Sequence, residues 1–256
     1  MGERTGIAWC HHTRNYWMGC TNIGPGCDFC YAETASRRWG RDIWGDDKPR
    51  LYCGDNASKE VRRWNRKAAA EGVRRRLFVN SFSDVLDHKA EQAWRDKIIE
   101  DAWACPSLDF LLLTKRIGNA KRMLPAELPS NVWLGITAIN RAELLRDTPK
   151  LKRINARLYW LSYEPALAPL DIRDLPILHE FDWIVWGGES GSRARPADMG
   201  TLENLLLWAA KGQLPPLFVK QFGELHARKN GWKQIHGADP SEWPEWARIQ
   251  EFPQAG

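Results

Sequence analysis

From about residue 76 onward, apolar residues gather into short continuous runs, each followed by a stretch in which apolar and polar positions recur at helical spacing. Segments 76–81, 110–114, 132–137, 158–162, 183–186 and 217–220 read as strands. Segments 89–104, 117–124, 141–152 and 202–211 read as helices. Strands that are apolar throughout are expected where both faces of a sheet are covered. Their alternation with helices predicts parallel βαβ units with right-handed crossovers. One more strand near 5–9 brings the number to about seven. The pattern therefore predicts an α/β fold, a full or partial (β/α) barrel with parallel strands, with a doubly wound open sheet as the alternative. Without an internal repeat or a low-complexity linker, residues 1–256 read as a single domain. Residues 41–75 lack strand character and read as an insertion decorating the barrel, and the tail from about Ala238 as a surface wrap.

Polar residues collect where these strands end: Asn80, Ser81 and Asp84; Thr114, Lys115 and Arg116; Thr137; Ser162 and Glu164; Glu189 and Ser190; Lys220 and Gln221. In a β/α barrel that rim is where active sites are built.

Composition narrows the class. With 43% hydrophobic and 27% charged residues, the chain can bury a substantial core. No apolar run is long enough to suggest a membrane span, and polar, basic residues begin at once, unlike a signal peptide. A cytosolic (cytoplasmic) protein is expected, in which six cysteines read as metal ligands or buried thiols rather than disulfides. The net charge of +5 is unevenly spread. Arg37, Arg38 and Arg41 lie close together, followed by Lys59, Arg62, Arg63, Arg66, Lys67 and 74–76, all arginine. Such a block attracts phosphates or forms a solvated helix face partly offset by Glu60 and Glu71. Most of the fifteen tryptophans are expected in the core, with a few free to stack on bases.

Cys20, Cys27 and Cys30 lie within eleven residues, around a Gly24-Pro25-Gly26 bend, and a helix starting near Cys30 would turn its positive end toward an anionic group. Three thiolates are one short of a closed zinc or iron–sulfur site. A [4Fe–4S] cluster held by three leaves one iron open. Zinc, with His11 or His12 as fourth ligand, is the metal alternative. Cys10, Cys53 and Cys105 show no second metal spacing.

Residues 9–33 resemble the phage-associated three-cysteine proteins at the edge of the radical S-adenosylmethionine (SAM) superfamily. The likeness continues through Leu113-Thr114-Lys115-Arg116, 131–135, Ser162-Tyr163-Glu164-Pro165, Gly187-Gly188-Glu189-Ser190-Gly191, Arg195-Pro196 and 218–223. The six-residue first gap departs from the usual three, while the final Cys-x-aromatic-Cys element is kept, with Phe29 as the aromatic. The resemblance implies a [4Fe–4S] cluster on the three cysteines, Phe29 beside the SAM adenine, reductive cleavage of SAM to a 5′-deoxyadenosyl radical, and an electron donor of flavodoxin or ferredoxin type. It also implies that Ser81, Ser83 and Asp84 hold the SAM ammonium.

Thr137, Glu164 and Glu189 join them as cofactor-binding candidates. Lys115, Arg195, Lys220 and Gln221 are substrate-binding candidates, with Arg193 and Arg195 suited to carboxylate or phosphate. A carboxylate ending an apolar strand needs a partner, and Lys115 or Lys220 is the natural one for Glu164. Basic clustering and tryptophan content point to DNA, RNA or a nucleotide as substrate, acted on by base modification or repair. A zinc-stabilised nucleic-acid-binding protein without catalysis is the competing reading, and a cluster protein lacking SAM chemistry a third.

Overall fold

The structure, a computed structural model, describes residues 5–254. The chain opens with β1 (His12–Arg14) and β2 (Trp17–Met18), followed by α1 (Tyr31–Arg38), β3 (Leu51–Tyr52) and α2 (Gly54–Ala70). Strands and helices then alternate: β4 (Arg75–Val79), α3 (Gln92–Ala104), β5 (Leu108–Thr114), α4 (Ala120–Met123), β6 (Val132–Thr137), α5 (Arg141–Leu151), β7 (Leu158–Tyr163), α6 (Leu175–Leu178), β8 (Trp183–Gly187), α7 (Met199–Ala210), β9 (Leu217–Gln221) and α8 (Glu224–Asn230). The seven-stranded sheet has the order β1-β4-β5-β6-β7-β8-β9 and is open, with β1 and β9 at its edges. Pairings β1–β4, β4–β5, β7–β8 and β8–β9 are parallel, while β2 and β3 form a small antiparallel ladder of their own.

Two expectations are corrected. The first strand is not at 5–9: those residues form a turn, with the Cys10 amide donating to the Ile7 carbonyl, and Trp9 packs edge-on against Phe78. The strand lies three residues later, where His12, Thr13 and Arg14 register with Leu77, Phe78 and Val79. Nor is 41–75 mere decoration. It contains α2, the helix that leads from β1 to β4, and buries Ala57, Val61, Trp64 and Ala68 along one stripe. Two alanines make that stripe weakly apolar, so the charged face dominates the sequence pattern.

The chain divides into two compact units, one of residues 1–23, 32–135 and 150–158, the other of 24–31, 136–149 and 159–256. The first is centred on fully buried Leu77, Phe110, Leu111 and Trp64. Its buried Asn131 amide donates to the carbonyls of Ala102, Cys105 and Leu108, closing the turn between α3 and β5. The second is built on an aromatic core of Trp160, Trp183, Trp186, Phe218 and Phe222. Its tail pairs with β9: the Val219 amide donates to the Ile249 carbonyl at 2.8 Å and the Glu251 amide to the Leu217 carbonyl at 2.9 Å. Phe252 packs on Trp183 and Phe218. The tail thereby covers a sheet edge that would otherwise offer unpaired backbone groups. No helix among the described residues is long and apolar enough to cross a membrane.

Candidate functional site

In the first unit the site begins with the turn after β4. Asn80 adopts a left-handed φ of 62°, uncommon outside glycine, and its side chain accepts the Tyr16 amide at 2.8 Å. Asn15 braces the turn from the other side, accepting the Phe82 amide and donating to Ser81 Oγ, while Ser83 Oγ donates to the Trp17 carbonyl. Ser81 and Ser83, expected at a SAM ammonium, thus hold this turn against the β1–β2 segment.

Asp84 is more central. Its carboxylate accepts from the Leu86 amide, the Thr114 hydroxyl and the Lys115 amide, and Arg116 Nη1 lies 3.1 Å from it. The same Arg116 guanidinium donates to Cys20 Sγ at 3.4 Å and to the Thr21 carbonyl at 2.6 Å. Burial pushes the Cys20 thiol up to about 12, against the opposing pull of Arg116. A second cation, Arg50, reaches Thr21 Oγ1 at 2.7 Å and pairs with Asp87 at 2.6 Å. Sequence reasoning missed Arg50 because it lies in the stretch read as decoration, and nothing in its immediate neighbours marks it as buried. The side chain of Lys115 is partly exposed, and its amide alone is tied to Asp84.

In the second unit, Gly24, Pro25 and Gly26 lead into a one-turn 3-10 helix, Pro25–Cys27. The Cys27 amide donates to the Gly24 carbonyl and the Cys30 amide to the Cys27 carbonyl, so these two thiols belong to one tight turn. Arg195 holds that turn. Its guanidinium grips both oxygens of the buried Glu189, then reaches the Pro25 carbonyl at 2.8 Å and Asp28 at 3.4 Å. The Glu189 carboxylate raises the Arg195 pKa. Phe29 lies beneath two guanidinium groups, Arg193 at 4.8 Å and Arg195 at 5.0 Å from its ring centre. Glu189 and Arg195, expected to serve cofactor and substrate separately, are therefore paired with each other.

The same unit brings Glu164 and Lys220 together at 2.8 Å, with Ser162 Oγ donating to the carboxylate at 3.0 Å. A side chain at Gly187 would collide with Glu164, so the glycine makes room for that carboxylate. Gln221 donates to the Gly188 carbonyl and to Ser190 Oγ. Thr137 ends β6 and is buried.

Among the described residues no group of three or more His, Cys, Asp or Glu side chains is placed to hold a metal ion. Each part of the cysteine segment keeps thiols that are outside any disulfide and only partly buried: Cys20, contacted by the Arg116 guanidinium, which opposes the effect of burial on its thiol, in the first unit, and Cys27 and Cys30 in the second. The histidines of the zinc alternative are engaged elsewhere. His11 Nδ1 accepts the Arg76 amide at 2.9 Å, and His12 stacks on Trp64 with ring centres 4.6 Å apart. Cys53 donates to the Asn15 carbonyl, and Cys10 and Cys105 are buried.

Solved structures of spore photoproduct lyase share this fold. One variant matches with a TM-score of 0.52 at 14% identity, over 73% of this chain and 58% of that one. A second variant, solved with bound AdoMet and dinucleoside spore photoproduct, matches with a TM-score of 0.50 at 13% identity, over 72% of this chain and 60% of its own. The chain thus spans about three fifths of these neighbours, and the likeness establishes the fold, a parallel, partial (β/α) barrel like that of spore photoproduct lyase. No curated protein matches it. Over residues 4–246 the chain matches the family described as protein of unknown function (DUF5131), and it belongs to that family.

Proposed function

We propose that the chain is a radical SAM enzyme of the phage-associated three-cysteine type. In this reading it holds a [4Fe–4S] cluster on Cys20, Cys27 and Cys30 and acts on a nucleobase or nucleic acid in a reducing, cytoplasmic setting. One observation carries the reading. In each unit a strand-end acid–arginine pair is directed at the cysteine segment: Asp84–Arg116 at Cys20 and Thr21, and Glu189–Arg195 at Pro25 and Asp28. Holding a guanidinium group on each part of that segment is costly in side-chain freedom and desolvation, and it makes sense where ligand positions must be fixed. The partial-barrel fold supports the reading, as does a structural neighbour solved with AdoMet and a dinucleoside lesion.

When bound, the cluster supplies the low-potential electron that cleaves SAM. The chain's own residues position and shield. Arg116, fixed by Asp84, orients Cys20 and donates an N–H to its sulfur, a contact that raises a cluster's potential. Arg195 fixes the turn carrying Cys27 and Cys30, and Phe29 presents an aromatic face beside it. The Glu164–Lys220 pair offers one acceptor and one donor for the polar groups of SAM or substrate. A flavodoxin- or ferredoxin-type protein would deliver the electron.

Anaerobic reconstitution with iron and sulfide should give a broad visible absorption with about four irons per chain. Dithionite and SAM should then yield 5′-deoxyadenosine. A Cys20→Ala/Cys27→Ala/Cys30→Ala variant that still loads its full iron overturns the assignment, and stoichiometric zinc in colourless, anaerobically purified protein favours the non-catalytic reading.

A further inference from the structure

Trp39 is buried neither by the core nor by the tail. It sits in the turn that ends α1, its amide donating to the Ala35 and Ser36 carbonyls, and its side chain is 52% exposed. The indole is nevertheless held in place. It stacks on Phe82 with ring centres 5.2 Å apart and planes inclined by 22°, and the Arg41 guanidinium lies 5.6 Å from its centre. Phe82 is itself 9% exposed and anchored at both backbone groups: its amide donates to Asn15 Oδ1, and its carbonyl accepts from the Gly19 amide at 2.9 Å. Gly19 directly precedes Cys20, so the braced indole stands on the backbone that leads into the cysteine segment.

The charge around it is one-sided. Arg37, Arg38 and Arg41 are all exposed. Glu33 engages Arg37 and Lys48 engages Asp42, leaving Arg38 and Arg41 with no acidic partner among the described residues. Arg41 donates to Met18 Sδ at 3.1 Å, a contact that holds its guanidinium beside the indole without neutralising its charge. A rigid, half-exposed indole flanked by unneutralised arginines has the two elements that bind unpaired nucleic acid, a stacking platform and phosphate contacts.

We infer that Trp39, with Arg38 and Arg41, is a docking surface for single-stranded nucleic acid. A base stacks on the exposed indole, and the flanking phosphates meet the two arginines. The surface deepens the nucleic-acid part of the proposed function and is independent of its redox part. Its binding is measured without iron or SAM, so a failure here leaves the cysteine assignment standing, and a failure of iron loading leaves this surface standing.

The test is fluorescence anisotropy of end-labelled 12-nucleotide DNA and RNA strands with the full chain at 50 mM salt. The wild type should bind at least one of the two strands, and the tighter one identifies the natural class. Trp39→Ala should weaken binding about ten-fold, equivalent to about 1.4 kcal/mol of stacking, while Trp39→Phe stays within about three-fold. Arg38→Glu/Arg41→Glu should weaken it further and lower the salt slope by about 1.4, roughly 0.7 for each phosphate no longer neutralised. Wild-type protein that binds neither strand overturns the inference, as do Trp39→Ala and Arg38→Glu/Arg41→Glu variants that bind like wild type. Equal loss in Trp39→Ala and Trp39→Phe, with circular dichroism unchanged, overturns the stacking role.

Discussion

The buried pair Arg50–Asp87 allows a quantitative test of how the cysteine segment is supported. Both side chains are withdrawn from water, 1% and 0% exposed, and meet at 2.6 Å. The arginine spends its remaining donors on the Gly45 and Lys48 carbonyls and on Thr21 Oγ1, and Asp87 also accepts the Lys89 amide. Asp87→Ala leaves a buried guanidinium without its counter-charge, and Arg50→Met leaves a buried carboxylate. Each should cost about 3–5 kcal/mol, a large share of the roughly 5–15 kcal/mol that holds a typical domain. With a urea m-value of about 3 kcal/mol/M, the unfolding midpoint should fall by about 1–1.7 M in either single variant. Because removing both charges also removes the uncompensated ion, Arg50→Met/Asp87→Leu should recover much of that loss. Arg50→Met and the double variant should both load less iron than their stability alone would account for, since Thr21 beside Cys20 loses its donor in each. Single variants that lose less than about 1 kcal/mol, or a double variant as unstable as the sum of the singles, would refute the reasoning.

Two further outcomes follow from local geometry. At Gly188, a Cβ would strike the Phe222 carbonyl and lie 2.8 Å from the Gly223 amide nitrogen, all backbone that cannot swing aside. Gly188→Ala should therefore cost about 2–3 kcal/mol and lower Tm by roughly 5–10 °C in a calorimetric scan. Burial, and then the charge of Arg76, depresses the His11 pKa to about 4. A histidine depressed below its unfolded value of about 6.5 stabilises the fold above that pH, and the contribution is lost as the pH falls from 6.5 toward 4. Allowing for solvent screening, wild type should lose about 1–2 kcal/mol more than His11→Asn between pH 7 and pH 4.5, because asparagine keeps an acceptor for the Arg76 amide without titrating. Equal losses in urea titrations of the two proteins would remove His11 as the cause.

The regular part of the fold was legible because its code is local. Strands β5 to β9 are apolar runs bounded by polar turns, and each falls within two residues of where the pattern places it. The N-terminal third was harder. β1 is three residues of mixed polarity, His-Thr-Arg, and becomes a strand only through its register with β4. The stripe of α2 is two alanines, a valine and a tryptophan, outweighed in the sequence by its own lysines and arginines.

For the site the division is sharper. By itself the sequence determined the parallel α/β architecture, the cysteine spacing, and the gathering of charged residues at the strand ends, since each depends on spacing along the chain. Only the tertiary structure decided which charges meet. Asp84 and Arg116 are brought to Cys20 from distant strand ends, Glu189 takes Arg195 and Glu164 takes Lys220, and a phenylalanine from the turn after β4 supports Trp39. Those choices follow from burial. A carboxylate withdrawn from water must find the nearest cation or hydrogen-bond donor, and which one is nearest is set by how strands and turns pack.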